Sequence, residues 1–383
     1  MKVAIVGFTF NHPTARRSLA VFDLLAKRYN IQLDIITVSR WGTYVYDDLK
    51  SHSRANLRIH TLRSVFLSRT PSQYKSFMPS LFLKLISLKP DVIYAHEEPA
   101  TINALSAFLA AKVLRVPFVV TSWENLFQPW FFPLNIMEKL IARNADLFIA
   151  GTSDVRKVFM QKGAKKARFV VMPLSGVDTI TFRPLKSNFG AQLGLRKDNT
   201  IVFVGRIIEM KGIRVILNAI RILRKRGRAY KYLFVGYGSQ NDPQLVQEIK
   251  NFDKGDIVFL ENLERGQIPA AFNSAAISLY PSVPTSFWAE QFGFSVAESL
   301  ACKVPVVASN LTGPRYIIRD GEDGFLVKAK DPKLLAEKID LLMRDKALRA
   351  RFGALGRKDV EERFSNSTLA QTLFKIFTKK LRH

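Results

Sequence analysis

Two glutamates, Glu290 and Glu298, stand eight positions apart in the segment AEQFGFSVAESLA of residues 289–301. Gly293 divides an approach loop from a helical pattern. A helix starting there presents the amides of Phe292, Gly293, Phe294 and Ser295 at its positive dipole end, which is an anion site suited to a phosphate. Glu290, just ahead of that end, is an acceptor for sugar hydroxyls, and Glu298, more than one turn into the helix, is in reach of a ribose. The plainer alternative is a pair of solvated glutamates flanking an amphipathic helix.

A second group lies earlier in the chain. Gly205 and Arg206 close an apolar run, and Lys211 and Gly212 precede a helical pattern that starts near Val215. Two cations and two glycines at a strand end suit a diphosphate, because glycines let the backbone approach and the cations neutralise its oxygens. Gly236 and Gly238, in the run Val235, Gly236, Tyr237, Gly238, Ser239, clear space at the end of a further strand pattern. Each motif alone is weak; their order carries the weight.

These residues need a frame, and the apolar pattern supplies one. Strand patterns at 1–7, 31–38, 92–95, 118–121, 146–150 and 169–172 alternate with helical patterns at 15–28, 79–87 and 100–113. That alternation predicts a parallel sheet covered on both faces. It stops at Phe182, Arg183 and Pro184, a polar stretch follows from Lys186 to Asn199, and strand patterns resume at 201–204, 232–235, 257–260, 277–280 and 304–308. The expected fold class is α/β with two doubly wound, Rossmann-like parallel-sheet domains, residues 1–185 and 186–363, followed by a C-terminal helical segment at 364–383. In such sheets ligands sit at the carboxyl ends of the strands, where the chemistry-bearing residues fall.

Composition narrows the function. The 383 residues are 48% hydrophobic, too many for one core, and carry 58 Lys and Arg against 32 Asp and Glu, a net charge of +26. The excess is even: residues 1–185 hold 25 basic and 12 acidic side chains, the rest 33 and 20. An evenly basic surface attracts phosphorylated substrates, anionic lipid or nucleic acid. One cysteine, Cys302, excludes a disulfide framework or a cysteine-rich zinc site and suits a reduced, cytoplasmic setting. No apolar run reaches the roughly 20 residues of a spanning helix, and the first residues read as a strand rather than a cleavable signal.

Taken in order, Gly176, Val177, Asp178, Phe182 and Pro184, then Gly205, Arg206, Lys211 and Gly212, then Gly236 and Gly238, then the Glu290–Glu298 pair, the chain resembles the family-4-type, group 1 retaining glycosyltransferases of GT-B architecture. The resemblance implies two domains facing a central cleft, with the acceptor held by the first and a nucleotide diphosphate sugar by the second. It implies that Arg206 and Lys211 hold the diphosphate, that Glu290 with the Phe292 and Gly293 amides grips the sugar, that the Phe294 and Ser295 amides hold a phosphate, and that Glu298 holds the ribose. It also implies a hexosyl transfer with retained configuration, in which the leaving phosphate accepts the acceptor's proton, and a C-terminal helix crossing back to the first domain. No Asp-x-Asp occurs in the chain, so a metal-independent donor site with no cofactor is expected.

The first half departs from the family pattern. Where relatives carry paired glycines the turn reads Gly7, Phe8, Thr9, Phe10, Asn11, His12, Pro13, and where they place an active-site histidine it reads Ser122, Trp123, Glu124, Asn125. Glu124, and His96 at another strand end, are candidate catalytic contacts; the alternatives are a supporting role for Glu124 and a structural role for His96. Lys303 replaces a usual glycine and Tyr316 a common glutamate.

The acceptor is expected to be a glycan or a lipid-linked molecule. Residues 74–89 mix Phe77, Leu81, Phe82, Leu85 and Ile86 with Lys75, Lys84 and Lys89, and 123–132 carry Trp123, Phe127, Trp130, Phe131 and Phe132. Both suit peripheral attachment at the cytoplasmic face of an anionic membrane, and each has a core-facing or wall-lining alternative. No nucleic-acid partner is expected. The competing readings are a nucleotide-sugar epimerase or phosphorylase of the same architecture, or a non-catalytic basic protein binding membrane or nucleic acid; the latter predicts loss of the donor residues, which are present.

Overall fold

A computed structural model describes residues 1–11, 16–41, 44–45, 53–66, 72–164, 167–238, 240 and 242–379. His12, Pro13 and Ser239, named above, and the first residue of the 15–28 pattern lie outside the described residues. The chain forms two compact units, Met1–Gly176 with Asn366–His383, and Val177–Ser365.

The first unit is built on seven parallel strands: β1 (Lys2–Val6), β2 (Gln32–Val38), β3 (Leu57–Leu62), β4 (Val92–Ala95), β5 (Phe118–Ser122), β6 (Leu147–Ala150) and β7 (Phe169–Val171), in the order β7-β6-β5-β4-β1-β2-β3. The two-residue period of a strand sends Val3 and Ile5 to one face and Ala4 and Val6 to the other, and all four are fully buried. Val3 and Ile5 belong to the core that includes residues of α1 (Arg16–Tyr29); Ala4 and Val6 belong to the core beneath α2 (Leu81–Leu88), α3 (Ile102–Leu114), α4 (Leu134–Asn144) and α5 (Ser153–Gln161). Double coverage is why these strands read as unbroken apolar runs.

The second unit has six parallel strands: β8 (Thr200–Val204), β9 (Lys231–Val235), β10 (Ile257–Leu260), β11 (Ile277–Tyr280), β12 (Val306–Ser309) and β13 (Gly324–Val327), in the order β10-β9-β8-β11-β12-β13. Its helices include α6 (Ile213–Lys225), α7 (Pro243–Phe252), α8 (Phe294–Ala301), α9 (Pro332–Arg344) and α10 (Lys346–Arg363). Every strand expected from the sequence is present, with ends shifted by no more than two residues. Two strands of these large sheets, β3 and β13, were not expected, nor were the short pairs Arg40–Trp41 with Tyr44–Val45 and Val65–Phe66 with Ser76–Phe77; β3 alternates Leu57, Ile59 and Thr61 with Arg58 and His60, so it lacks the continuous apolar run of its neighbours.

The run that reads as the end of the first half folds into the second unit. Phe182 is buried beside Phe272, Arg357 donates to the carbonyls of Phe182 (2.6 Å) and Thr179 (3.1 Å), and the Val177 amide donates to Phe364 (2.8 Å). The unit break therefore falls at Gly176, ahead of the polar stretch. The last helix, α11 (Asn366–Thr378), is part of the first unit: Leu369 and Leu373 enter its core, and Phe374 stacks on Tyr29 of α1 with ring centroids 4.2 Å apart.

Candidate active site

In the second unit the chain runs from β8 outward through β9 and β10, then returns to the other side of β8 as β11. The carboxyl edge between β8 and β11 is the point where strand order reverses, the place where open α/β sheets bind ligands. From β8 come Gly205, Arg206, the short turn Glu209–Lys211 and Gly212; from β11 come Pro281, Ser282 and the loop that leads to α8. The two connections touch through their backbones, with the Val283 amide donating to the Met210 carbonyl at 2.9 Å.

That approach requires glycine. Gly212 has φ +74, and a Cβ on it would stand 1.9 Å from the Pro281 carbonyl oxygen. A Cβ on Gly236, at the end of β9, would stand 1.7 Å from the Gly205 carbonyl oxygen. Gly238 is equally confined, by Val246 and Ile207. These glycines bring three strand ends together.

Across the edge, Lys211 Nζ is ion-paired with Glu290 Oε2, Ser282 Oγ donates toward the same oxygen at 3.5 Å, and Lys211 lies over the Trp288 ring at 5.2 Å. Lys211 and Glu290 each keep 17% of their side-chain surface, so the pair is reachable from solvent. Arg206 is exposed on the same edge. Helix α8 starts at Phe294 after Gly293, as its sequence predicts, and the Val296 amide of its first turn donates to the Gly293 carbonyl at 2.9 Å. Glu298 is on the second turn, 3% exposed, and accepts from Arg265 Nη2 at 3.2 Å. The loop before α8 is held by Phe292, which packs on Phe294, Tyr316 and Phe364. Tyr316 thus serves that aromatic cluster.

Residues 186–359 match the glycosyl transferases group 1 family, and residues 25–175 match the glycosyl transferase 4-like domain. The chain belongs to the group 1 glycosyltransferases. Among curated relatives, this glycosyltransferase is 25% identical over 380 residues to the capsular polysaccharide biosynthesis glycosyltransferase CapM of Staphylococcus aureus, covering 91% of this chain and 97% of the relative. It is 27% identical over 305 residues to the phosphatidyl-myo-inositol mannosyltransferase of Mycobacterium leprae, covering 75% and 73%. Among solved structures, Anabaena Alr3699/HepE in complex with UDP superposes with TM-score 0.77 at 19% identity, covering 99% of this chain and 100% of that one, so the fold is GT-B.

The two first-half candidates, His96 and Glu124, each sit among close neighbours. His96 is wedged among Phe10, Phe22 and Tyr94, with Nδ1 on the Tyr94 hydroxyl (2.8 Å) and Nε2 facing Ser18 Oγ (3.3 Å). Burial pushes its imidazole down to about 4, so it is neutral at pH 7. Glu124 is buried, ion-paired with Lys162, and accepts from the Gln128 amide (3.0 Å) and Trp130 Nε1 (3.4 Å). Both nitrogens of His96 and both oxygens of Glu124 are engaged by neighbouring side chains or backbone, an arrangement that suits the structural and supporting alternatives.

Sequence reasoning missed two residues of this edge. Arg265 follows β10 and reaches Glu298; nothing in its local sequence marks it. Gly313 donates its amide to the Glu290 carbonyl (3.0 Å), and a Cβ there would stand 2.5 Å from the Phe292 carbonyl oxygen. The glycine just before Pro314, after a buried strand, is the signal that points to it.

Proposed function

We propose that this glycosyltransferase moves a hexose from a nucleotide diphosphate sugar to a glycan or lipid-linked acceptor during assembly of a cell-surface polysaccharide, glycolipid or glycoprotein. The observation that carries the reading is the solvent-reachable Lys211–Glu290 pair at the strand-order reversal of the second unit, framed by backbone that only glycine permits. The names of CapM and of the UDP complex of HepE agree with it.

In this reading Arg206, Lys211 and the amides of Phe294 and Ser295 carry the diphosphate charge with no metal ion, which the lack of any Asp-x-Asp in the sequence supports. Glu290 and the Phe292 and Gly293 amides orient the sugar, and Glu298, steadied by Arg265, takes the ribose. A diphosphate entering the edge competes with Glu290 for Lys211 and releases the carboxylate to sugar hydroxyls. The acceptor, held by the first unit, attacks the anomeric carbon from the side on which the diphosphate leaves. The new C–O bond forms as the glycosyl–phosphate bond breaks, the acceptor proton passes to the leaving phosphate oxygen, and configuration is retained. The protein works in the cytoplasm, attached at the membrane's cytoplasmic face, where its +26 charge meets anionic lipid.

Calorimetry over a panel of nucleotide diphosphate sugars, with Lys211→Ala and Glu290→Ala beside the parent, tests the assignment. Saturable binding of at least one donor that both substitutions weaken is the expected result. No binding at millimolar donor overturns the function; binding unchanged in both variants overturns the site. Anomeric coupling constants of the product test retention, and turnover in excess chelator tests metal independence.

A further inference from the structure

Helices α2, α3 and α4 form one layer over the first sheet, α2 packing on α3 and α3 on α4. Their inward residues, among them Leu81, Leu85, Phe108 and Ile141, are in the core. The apolar face expected of residues 74–89 as a membrane element is thus largely spent on the fold, since Leu81 and Leu85 are fully buried and Phe82 and Ile86 pack against them. The outward side of the neighbouring helices is different. Leu109 and Val113 of α3, and Ile136 and Leu140 of α4, are 42% to 64% exposed, and Phe131 and Phe132, just before α4, are 64% and 74% exposed.

Charge on this layer has one sign. Lys84, Lys112, Lys139 and Arg143 accompany the apolar residues, while the one carboxylate in the three helices, Glu138, is 3% exposed and bonded to Lys162 at 2.7 Å. A helix layer facing water ordinarily mixes both signs. Exposed aromatic and aliphatic residues flanked by cations alone fit a surface that offers anionic heads above an apolar interior. Beside α4 a cavity of about 640 Å³ is lined by Phe127, Trp130, Lys139, Arg143 and the Lys162–Glu138 pair, which leaves Lys139 and Arg143 as its excess cations. Arg143 is anchored at its edge by Nε donating to the Gly163 carbonyl (3.3 Å).

We propose that α3, α4 and Phe131–Phe132 form a docking face for an anionic lipid bilayer, and that the cavity beside α4 seats one lipid phosphate between Lys139 and Arg143. The inference rests on the membrane attachment proposed above and is independent of the donor chemistry. Phe131, Phe132 and Ile136 enter the acyl boundary, and the two cations meet the phosphates.

Sedimentation with phosphatidylglycerol–phosphatidylcholine vesicles tests the face. Combined Phe131→Ser, Phe132→Ser and Ile136→Ser is expected to weaken partitioning by at least about tenfold, and combined Lys139→Ala and Arg143→Ala by about tenfold. A charge-matched control in the second unit, Lys328→Ala with Lys333→Ala, is expected to change it by less than about twofold. Nucleotide-sugar affinity stays at the parent value in every variant, which separates this proposal from the donor assignment. Equal binding to pure phosphatidylcholine vesicles, or an equal loss in the control pair, overturns it. For the cavity, Trp130 fluorescence is titrated with soluble dihexanoyl phosphatidylglycerol and with inorganic phosphate, with Trp130→Phe to assign the signal. A saturable response to the lipid that Arg143→Ala removes supports the phosphate seat. Silence toward the lipid, or an equal response to inorganic phosphate, overturns it.

Discussion

Each of the two sheets reverses its strand order beside its opening strand, and the two units fill that position in opposite ways. In the first unit the reversal lies between β1 and β4. The turn after β1 is a short 3-10 segment whose Phe8 and Phe10 are fully buried; Phe10 stacks on His96 with ring centroids 5.2 Å apart, and the Phe8 amide donates to Glu97. A Cβ on Gly7 would meet the Phe10 ring at 2.1 Å. Burial pushes His96 down to about 4 and Glu97 up to about 8, so both are mainly neutral at pH 7 and the first edge is an apolar plug. In the second unit the same topological position carries Arg206 and the partly exposed Lys211–Glu290 pair. The topology creates two equivalent crevices, and the residues of the first turn decide which is filled by the protein itself.

The largest expected effect tests the plug. Phe10→Ala should lower stability in urea unfolding by about 3–5 kcal/mol, the range for emptying a buried aromatic site, with nucleotide-sugar affinity unchanged. A variant that folds normally but loses donor binding would break the contrast. On the other side, Lys211→Ala should cut kcat/KM by about 100-fold, roughly 2.7 kcal/mol, with a melting temperature near the parent's. Gly212→Ala should do the same to donor binding and also destabilise the fold by at least about 1–3 kcal/mol, through its left-handed backbone and the Pro281 contact.

Smaller effects sharpen the electrostatic half of the comparison. Glu97 has a folded value raised from 4.5 to about 8, so the folded state binds more protons than the unfolded one through that window, and stability falls as pH rises. Glu98 and Glu138, raised to about 7, act in the same direction below it, and His96, lowered to about 4, acts in the opposite direction only below its ordinary 6.5. Between pH 7 and 8 Glu97 contributes about 1 kcal/mol of this fall and Glu98 and Glu138 together about 0.7 kcal/mol, so Glu97→Gln should remove roughly half of the slope in urea unfolding followed across pH. Least of all, His96→Asn should change kcat by less than about twofold while modestly lowering stability; a loss of 100-fold or more would return His96 to the catalytic residues.

Much of the second site was legible in the sequence because it is local. Gly205, Arg206, Lys211 and Gly212 follow one strand, Glu290 to Glu298 span one loop and one helix, and helix periodicity alone puts the amides before the second glutamate. Arg265 was not legible, because its link to Glu298 joins segments 33 positions apart. The surroundings of His96 and Glu124 were not legible for the same reason: a strand-end position is visible in sequence, but Tyr94, Ser18 and Lys162, which engage their polar atoms, are not.

The glycine and charge spacing of residues 205–212 and 289–301 by itself determined which strand edge gathers Arg206, Lys211 and Glu290, since glycine is required wherever backbones approach within a Cβ's reach. Only the tertiary structure decided that the first edge is closed by Phe8 and Phe10, that Glu298 is backed by Arg265, and that the outward side of α3 and α4 keeps apolar residues with cations alone. Those outcomes depend on which side chains meet across the sheet, and desolvation, which sets His96 and Glu97 neutral, exists only once those neighbours have excluded water.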